Sequence, residues 1–269
     1  MEPVRPSFVP DASLSHDEMA ALQREIGAAA TFEDDSPALD RACSGTDTSA
    51  THEHERDPES LAGGRDETAL VAGVDQAFLA ERAVSGIVVL ADGEVVERAH
   101  AVTPTEIPYI PGLLAFREGG PILAAFETLD HDPDLALFDG SGRIHYRQAG
   151  LATHVGVTLD LPAIGVAKRL LCGDPTDPLE RKLPAGSRVP ILADAEVETE
   201  PGTTIGYAVQ TRQFEGQNRH VNPVYVSPGH RVSAETAADV VERCCAGYKL
   251  PEPIRLADRY ADEVKAEYD

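Results

Sequence analysis

The order in which the apolar segments follow one another is the strongest constraint on this chain. From Thr68, TALVAGVD has the continuous apolar character of a buried strand ending at Asp75. SGIVVL (85–90) and EVVERAHAV (94–102) flank an Ala-Asp-Gly turn and predict a hairpin. The period then changes. Leu113, Phe116, Ile122, Leu123 and Phe126 share one face of a helix over about 113–129. DLALFDG (134–140) is a short strand ending at Asp139, 149–159 a second helix, and LPAIGVAK (161–168) a strand. RVPILADAE, TTIGYAVQT and PVYVSPGH add strands, the last as strand plus loop, and Ser233 caps a helix over 233–245. Three antiparallel strands followed by alternating helices and strands predict one mixed α/β domain, a central sheet flanked by helices.

Upstream, residues 14–30 have acids in the first turn and Met19, Leu22 and Ile26 on one face, the pattern of a helix. Residues 31–67 are rich in Asp, Glu, Ser, Thr and Gly and show no period, which predicts a disordered acidic insertion. His52 and His54 within it read as part of a solvated loop. The expected organisation is thus an N-terminal arm and helix (1–30) packed on the main domain, the insertion (31–67), and the α/β domain (68–269). No run of apolar residues is long enough to cross a bilayer, and the N-terminus lacks a basic region followed by an apolar run. The four cysteines have no CxxC spacing. A cytoplasmic protein with free thiols, and a monomer, is expected.

Charge bears on the partner. The chain carries 46 Asp and Glu against 23 Lys and Arg, a net of −23, and acidity of this size ordinarily argues against nucleic acid. Only four of the cations are lysines, Lys168, Lys182, Lys249 and Lys265. A Lys-poor, carboxylate-rich composition resembles that of proteins from salt-accumulating microbes, in which carboxylates keep the surface hydrated. Residues 1–68 hold sixteen acids and five arginines, so nearly half of the excess lies outside the main domain. Net charge here speaks of the solvent more than of the ligand.

Three carboxylates stand at the ends of elements: Asp75 after the first strand, Glu118 in the first turns of a helix, and Asp139 after the fourth strand. If the first and fourth strands are neighbours, the two Asp side chains meet at one edge. A Glu packed across them completes an oxygen-rich site for Mg²⁺ or Mn²⁺, ions suited to phosphodiester hydrolysis. Strand-end Asp residues are equally turn formers, as Asp139-Gly140 suggests. Spacing alone leaves both readings open.

The surrounding words add to it. VAGVDQAF (71–78), IPYIPGLLAFREGGPIL (107–123), DGSGRIHYRQAGLATHVGV (139–157), IGVAKRLL (164–171) and PVYVSPGHRVSAETA (223–237) stand in this order and together resemble the endonuclease V family, with the composition of a halophilic archaeon. The resemblance covers about residues 70–250, and the helix at 14–30 resembles the family's opening helix. It implies an RNase H-like fold and a Mg²⁺-dependent nuclease, with Mn²⁺ as substitute. The implied activity recognises deoxyinosine in DNA and nicks the strand one nucleotide 3′ of the lesion, in DNA repair. It implies that Asp75, Glu118 and Asp139 hold the metal, with Lys168 and His230 as further catalytic groups near metal or phosphate. Pro108, Tyr109, Ile110 and Pro111 match a strand-separating wedge. Gly112, Gly150, Leu151, Ala152 and His154 match the pocket for the flipped base, and His145 a contact to phosphate or to a metal-holding carboxylate. HYR at 145–147 in place of HPR, Thr153 in place of Ser, and Asn222 where a basic residue is frequent are departures beside the site. Two alternatives stand: an endonuclease for inosine in RNA, and a non-catalytic reader of inosine-containing strands. A junction-cleaving or transposase-like nuclease would share the three carboxylates and lack the wedge.

Overall fold

The computed structural model describes residues 1–35, 39, 68–105, 107–108, 110–216 and 219–268. Its core is a nine-stranded mixed sheet in the order β3-β2-β1-β4-β5-β9-β8-β7-β6, as expected for a mixed α/β domain. The strands are β1 (Leu70–Phe78), β2 (Arg82–Ala91), β3 (Glu94–Pro104), β4 (Leu135–Phe138), β5 (Ala163–Ala167), β6 (Asp174–Pro175), β7 (Arg188–Leu192), β8 (Thr204–Val209) and β9 (Val224–His230). Helices are α1 (His16–Ala29), α2 (Leu114–Phe126), α3 (Leu151–Leu159), α4 (Ala234–Arg243) and α5 (Glu252–Ala266).

β1, β2 and β3 form an antiparallel meander, after which β4 and β5 add parallel to β1. The parallel crossovers run through α2 and α3, so helices cover the sheet and its central strands are apolar on both faces, as β4 (LALF, wholly buried) illustrates. α2 and α3 pack Ile122, Phe126, Val155 and Leu159 with Val74, Ile87 and Phe138. α4 and the start of α5 pack Val240, Val241 and Ile254 with Leu135, Leu137, Ile164 and Val226.

Helix α1 begins as its sequence requires. Ser15 accepts the Glu18 amide, and the Glu18 carboxylate takes the Ser15 amide in return, a capping box. Its apolar face, Met19 and Leu22, closes over Ile107, Ile110 and, at the start of α2, Leu113 and Phe116. The arm therefore packs on the main domain.

Three boundaries move. β1 does not end at Asp75 but runs on to Phe78, because the hairpin partner β2 pairs with it over its whole length. β9 takes in all of SPGH, since β5 pairs with it up to His230. The stretch read as a disordered insertion does not start at Thr31: Arg143 lies over the Phe32 ring at 4.5 Å, Asp34 and Asp35 bond to Ser233 and Arg231, and Leu39 is buried in the core. The rest of that stretch, 36–38 and 40–67 with His52 and His54, lies outside the described residues.

Helix α5 is a further element, beyond the expected helices. Pro251 and Pro253 start it, and Ile254, Ala257, Ala261 and Val264 face the sheet. Its backbone lies against β1 and β2. A Cβ on Gly73 would collide with the Pro253 carbonyl, and one on Gly86 would sit 3.1 Å from Ala261. Gly73 and Asp75 share a face of β1, since side chains alternate, so α5 crosses the face from which Asp75 projects.

Candidate active site

Three strands end at one edge of the sheet, each followed by or containing a charged residue. β1 and β4 are parallel neighbours with Val74 opposite Phe138, which brings Asp75 beside Asp139. β5 lies next to β4, and Lys168 follows its last residue, Ala167. Lys168 donates to the Asp139 carboxylate at 2.5 Å. α2 brings Glu118 to the same place. The Gln76 amide ties that helix to β1, donating to the Glu118 carbonyl at 3.1 Å and to the Ser85 hydroxyl at 2.6 Å.

These carboxylates are half-buried and poorly compensated. Burial, reinforced by the charge of Asp139, pushes the Asp75 carboxyl up to about 8, although the Gln76 backbone N–H, which donates to it, and Lys168 act against it. Burial also pushes Glu118 up to about 7, with Arg117 opposing and Asp139 adding. Burial would lower Lys168, but its bond to Asp139 and the charges of Asp139, Asp75 and Asp258 outweigh that and hold it above its ordinary value. Asp139 is thus the hub: it raises both other acids and holds the lysine.

The donor set fits a hard divalent cation. Asp75 Oδ2 is buried without a hydrogen-bond partner, and the crowded oxygens lack the positive charge that would keep them ionised near neutrality. In this arrangement the acids face a common space without closing on one point; among the described residues no three acid, His or Cys side chains do so. One oxygen of Asp139 is turned to Lys168 instead.

Asp258 belongs to this group and was missed from sequence. It follows Ala257, which lies against Gly86, the residue paired with Asp75. Its charge acts on both Asp75 and Lys168. The signal was present: PEPIRLADRYADEV opens with a helix-starting proline and continues with apolar residues at helical spacing, one of which precedes the acid.

A cleft of about 380 Å³ opens directly beside Asp139 and Lys168, with Gly112, Gly150 and Leu151 in its walls. Gly112 adopts φ +79°, a left-handed conformation that favours glycine. His145 Nε2 donates to the Gly112 carbonyl at 3.0 Å, and Gln23 of α1 donates to the same oxygen at 2.9 Å. Gln23 is a second residue that sequence reasoning missed; a polar residue on a helix's packed face was the available sign. Ala152 is buried just behind, its amide bonded to Ser141.

Several expected roles move. Both His145 nitrogens are taken by backbone, Nδ1 by the Arg147 amide at 3.2 Å, and burial drives its pKa down to about 4. Burial thus disfavours its charged form, and the ring forms part of the cleft wall. His154 points away from the cleft: Nε2 donates to the Phe8 carbonyl at 2.7 Å, and the ring packs edge-on against Phe116. His230 is not at this edge at all. β9 runs antiparallel to β5, so His230 pairs with Ala163 at the start of β5, while Lys168 follows its end. There His230 bonds Asp160 at 3.1 Å and the Thr31 amide at 3.2 Å. In the segment expected to be a wedge, Pro108 and Pro111 are exposed, and Ile110 packs against the α1 cluster. Tyr109 lies outside the described residues.

Comparison with known proteins agrees with the geometry. The Endonuclease V family profile matches residues 35–259. An endonuclease V of Haloarcula marismortui is 61% identical over 267 residues, covering 99% of this chain and 98% of that protein. The one of Natronomonas pharaonis is 56% identical, covering 100% and 99%. The crystal structure of the endonuclease V of Streptomyces avermitilis superposes with a TM-score of 0.72 at 31% identity, covering 100% of this chain and 99% of that one. The mixed sheet is accordingly of the RNase H-like type, and the chain, a nuclease with the composition of its halophilic relatives, belongs to the endonuclease V family.

Proposed function

We propose that the chain recognises deoxyinosine in DNA and cuts the phosphodiester bond one nucleotide 3′ of it, leaving 3′-hydroxyl and 5′-phosphate ends. The observation that carries this reading is the convergence of Asp75, Asp139, Glu118 and Lys168 on the rim of a glycine-walled cleft. Asp75, Asp139 and Glu118, with Asp258 beside them, would hold Mg²⁺, or Mn²⁺ as substitute. Bound there, the ion would supply Lewis-acid stabilisation of charge at the scissile phosphate.

The remaining steps fall to the chain's own groups. Lys168 can move from Asp139 to a phosphate oxygen, where its charge stabilises the negative charge of the transition state. Gly112 and Gly150 let backbone approach an extruded base closely, and Leu151 and Ala115 give it an apolar wall. His145 and Gln23 hold the Gly112 carbonyl in place while that base is read. The rigid Pro108 and Pro111 frame the segment that enters the stack. No helix among the described residues is long and apolar enough to cross a membrane.

A single-turnover assay in high-salt buffer with Mg²⁺ tests the reading. It uses a duplex with one deoxyinosine, an undamaged duplex and an inosine-containing RNA. One cut, one nucleotide 3′ of the deoxyinosine, is expected. Cutting of the RNA alone would move the substrate to inosine in RNA, and binding without metal-dependent product would make the protein a reader.

A further inference from the structure

In this chain, with two acids for every base, several arginines are held by carboxylates. Arg24, Arg188, Arg231 and Arg255 all are. Others are not, and one line of these runs away from the active site along the same sheet edge. β9 lies beside β5, with Tyr225 paired to Ala167, and β8 lies beside β9, with Val209 paired to Val224. Residues 210–216, which follow β8, and 219–223, which precede β9, therefore lie at the edge where Lys168 follows β5. Thr211 is bonded through its hydroxyl to the Lys249 carbonyl at 2.6 Å, which brings Lys249 to this segment. Arg212 and Arg219 lie over the Phe214 ring at 5.0 and 5.1 Å. Lys182 fastens the segment from the other side, donating to the Phe214 carbonyl and to the Gly216 carbonyl at 2.8 Å. Three of the four lysines of the chain thus stand on this edge.

We infer that this edge is a track for the backbone phosphates of the nucleic-acid strand outside the cleft, with Arg169, Lys249, Arg212 and Arg219 continuing the positive line that Lys168 begins. Among the described residues none of these four has a carboxylate partner. Glu215 lies in the segment itself, Glu180 acts on Tyr225 of β9, and Asp177 is held by Arg181 at 3.5 Å. A guanidinium stacked on a ring keeps its plane fixed and its N–H edge free, the geometry that suits a phosphate. Lys249 also senses Lys168: burial and then that neighbouring charge lower its pKa, as expected of two cations awaiting an anion. At molar salt, charge acts over only about 3 Å. Direct, pre-oriented contacts of this kind then hold a strand where diffuse attraction cannot.

The inference rests on the nuclease reading above and is tested apart from it. Binding of deoxyinosine duplexes is measured in EDTA across a KCl series, with one flank or the other trimmed. The triple variant R212A/R219A/K249A is expected to bind about 10-fold or more weakly, and its salt slope to fall by about one for each cation removed. Trimming the flank that occupies the track should erase the difference between variant and wild type. Arg219→Glu, at an exposed position, gives the same direction should the triple variant fold poorly, and Arg98→Ala on β3 should match wild type. Equal affinity and equal salt slope in wild type, the triple variant and Arg219→Glu would overturn the track. A wild type that binds but never cuts would instead overturn the nuclease reading.

Discussion

The sheet of this protein has two charged edges, and they treat similar residues in opposite ways. Where β1, β4 and β5 end, Asp75, Glu118 and Asp139 crowd together, one Asp75 oxygen has no partner, and burial lifts two of the carboxyls to about 8 and 7. Where β5 begins and β9 ends, every charge is answered. His230 bonds Asp160, Arg231 bonds Asp160 at 3.3 Å and Asp35 at 2.8 Å, and Arg5 lies 3.8 Å from Asp160 and donates to the Val157 carbonyl at 2.6 Å. Asp34 takes the Ser233 amide and the Thr236 hydroxyl at the start of α4. The closed network holds the segment after α1 against the domain. The open one keeps charge uncompensated, which costs stability and leaves the site complementary to a ligand that brings positive charge.

Substitutions should break that contrast in opposite directions. Asp139→Asn is expected to have the largest effect, slowing single-turnover cleavage by roughly 10³-fold or more. The same change removes the charge that opposes ionisation of Asp75 and Glu118. The metal-free variant should therefore melt no lower than wild type, and a markedly lower melting temperature would make Asp139 structural. Asp258→Asn should slow cleavage by about 10²-fold, less because this exposed acid stands at the rim of the group. A wild-type rate would remove it from the site. At the closed edge the expectation reverses: His230→Ala should cost roughly 1–3 kcal/mol of stability, since it leaves Asp160 and the Thr31 amide with one partner fewer. Its cleavage rate, measured well below its melting temperature, should stay within a few-fold of wild type. Full stability with lost cleavage would return His230 to the chemistry.

The contrast also shows what was legible in the sequence. Asp75, Glu118 and Asp139 could be found because local pattern puts each near the predicted end or start of an element, although β1 runs three residues past Asp75. Lys168 could be found through the family resemblance of its GVAK word, and parallel pairing of β1, β4 and β5 then brings them together. His230 stood in an equally distinctive motif, but its position depends on strand direction. β9 is antiparallel to β5, and nothing local to PVYVSPGH says so; reversing one strand moves its last residue to the far edge. Asp258 and Gln23 were hidden for a related reason. Each reaches the site from a helix distant in sequence, through packing that Gly73 and Gly112 permit. The helices themselves could be read from spacing and caps, whereas the face each turns to the sheet could not.

The smallest effect concerns pH, and it separates buried histidines from the site carboxylates. Burial holds His154 and His145 near 4, far below the ordinary 6.5, so the folded protein resists protons that the unfolded chain accepts. Their contribution is fully present above about pH 6.5 and is lost as pH falls toward 4, at about 1.4 kcal/mol per pH unit for each group within that window. Asp75 and Glu118 act the other way in the metal-free protein. Their raised values mean that the folded state holds protons more tightly, so their contribution improves as pH falls from about 8 toward 4. Total stability therefore hides both, and a difference measurement is needed. His154 is the cleaner target: Nε2 donates to Phe8, while Nδ1 is buried with no partner and would carry the added proton into apolar surroundings. His154→Gln supplies an amide N–H that can donate to Phe8 and cannot titrate. Denaturant unfolding at a series of pH values should show the stability of wild type, relative to this variant, falling by about 1 kcal/mol between pH 6.5 and 5.5. A pH-independent difference would mean that His154 binds its proton equally well in the folded and unfolded states, so that burial against Phe8 and Phe116 puts no penalty on the charged ring.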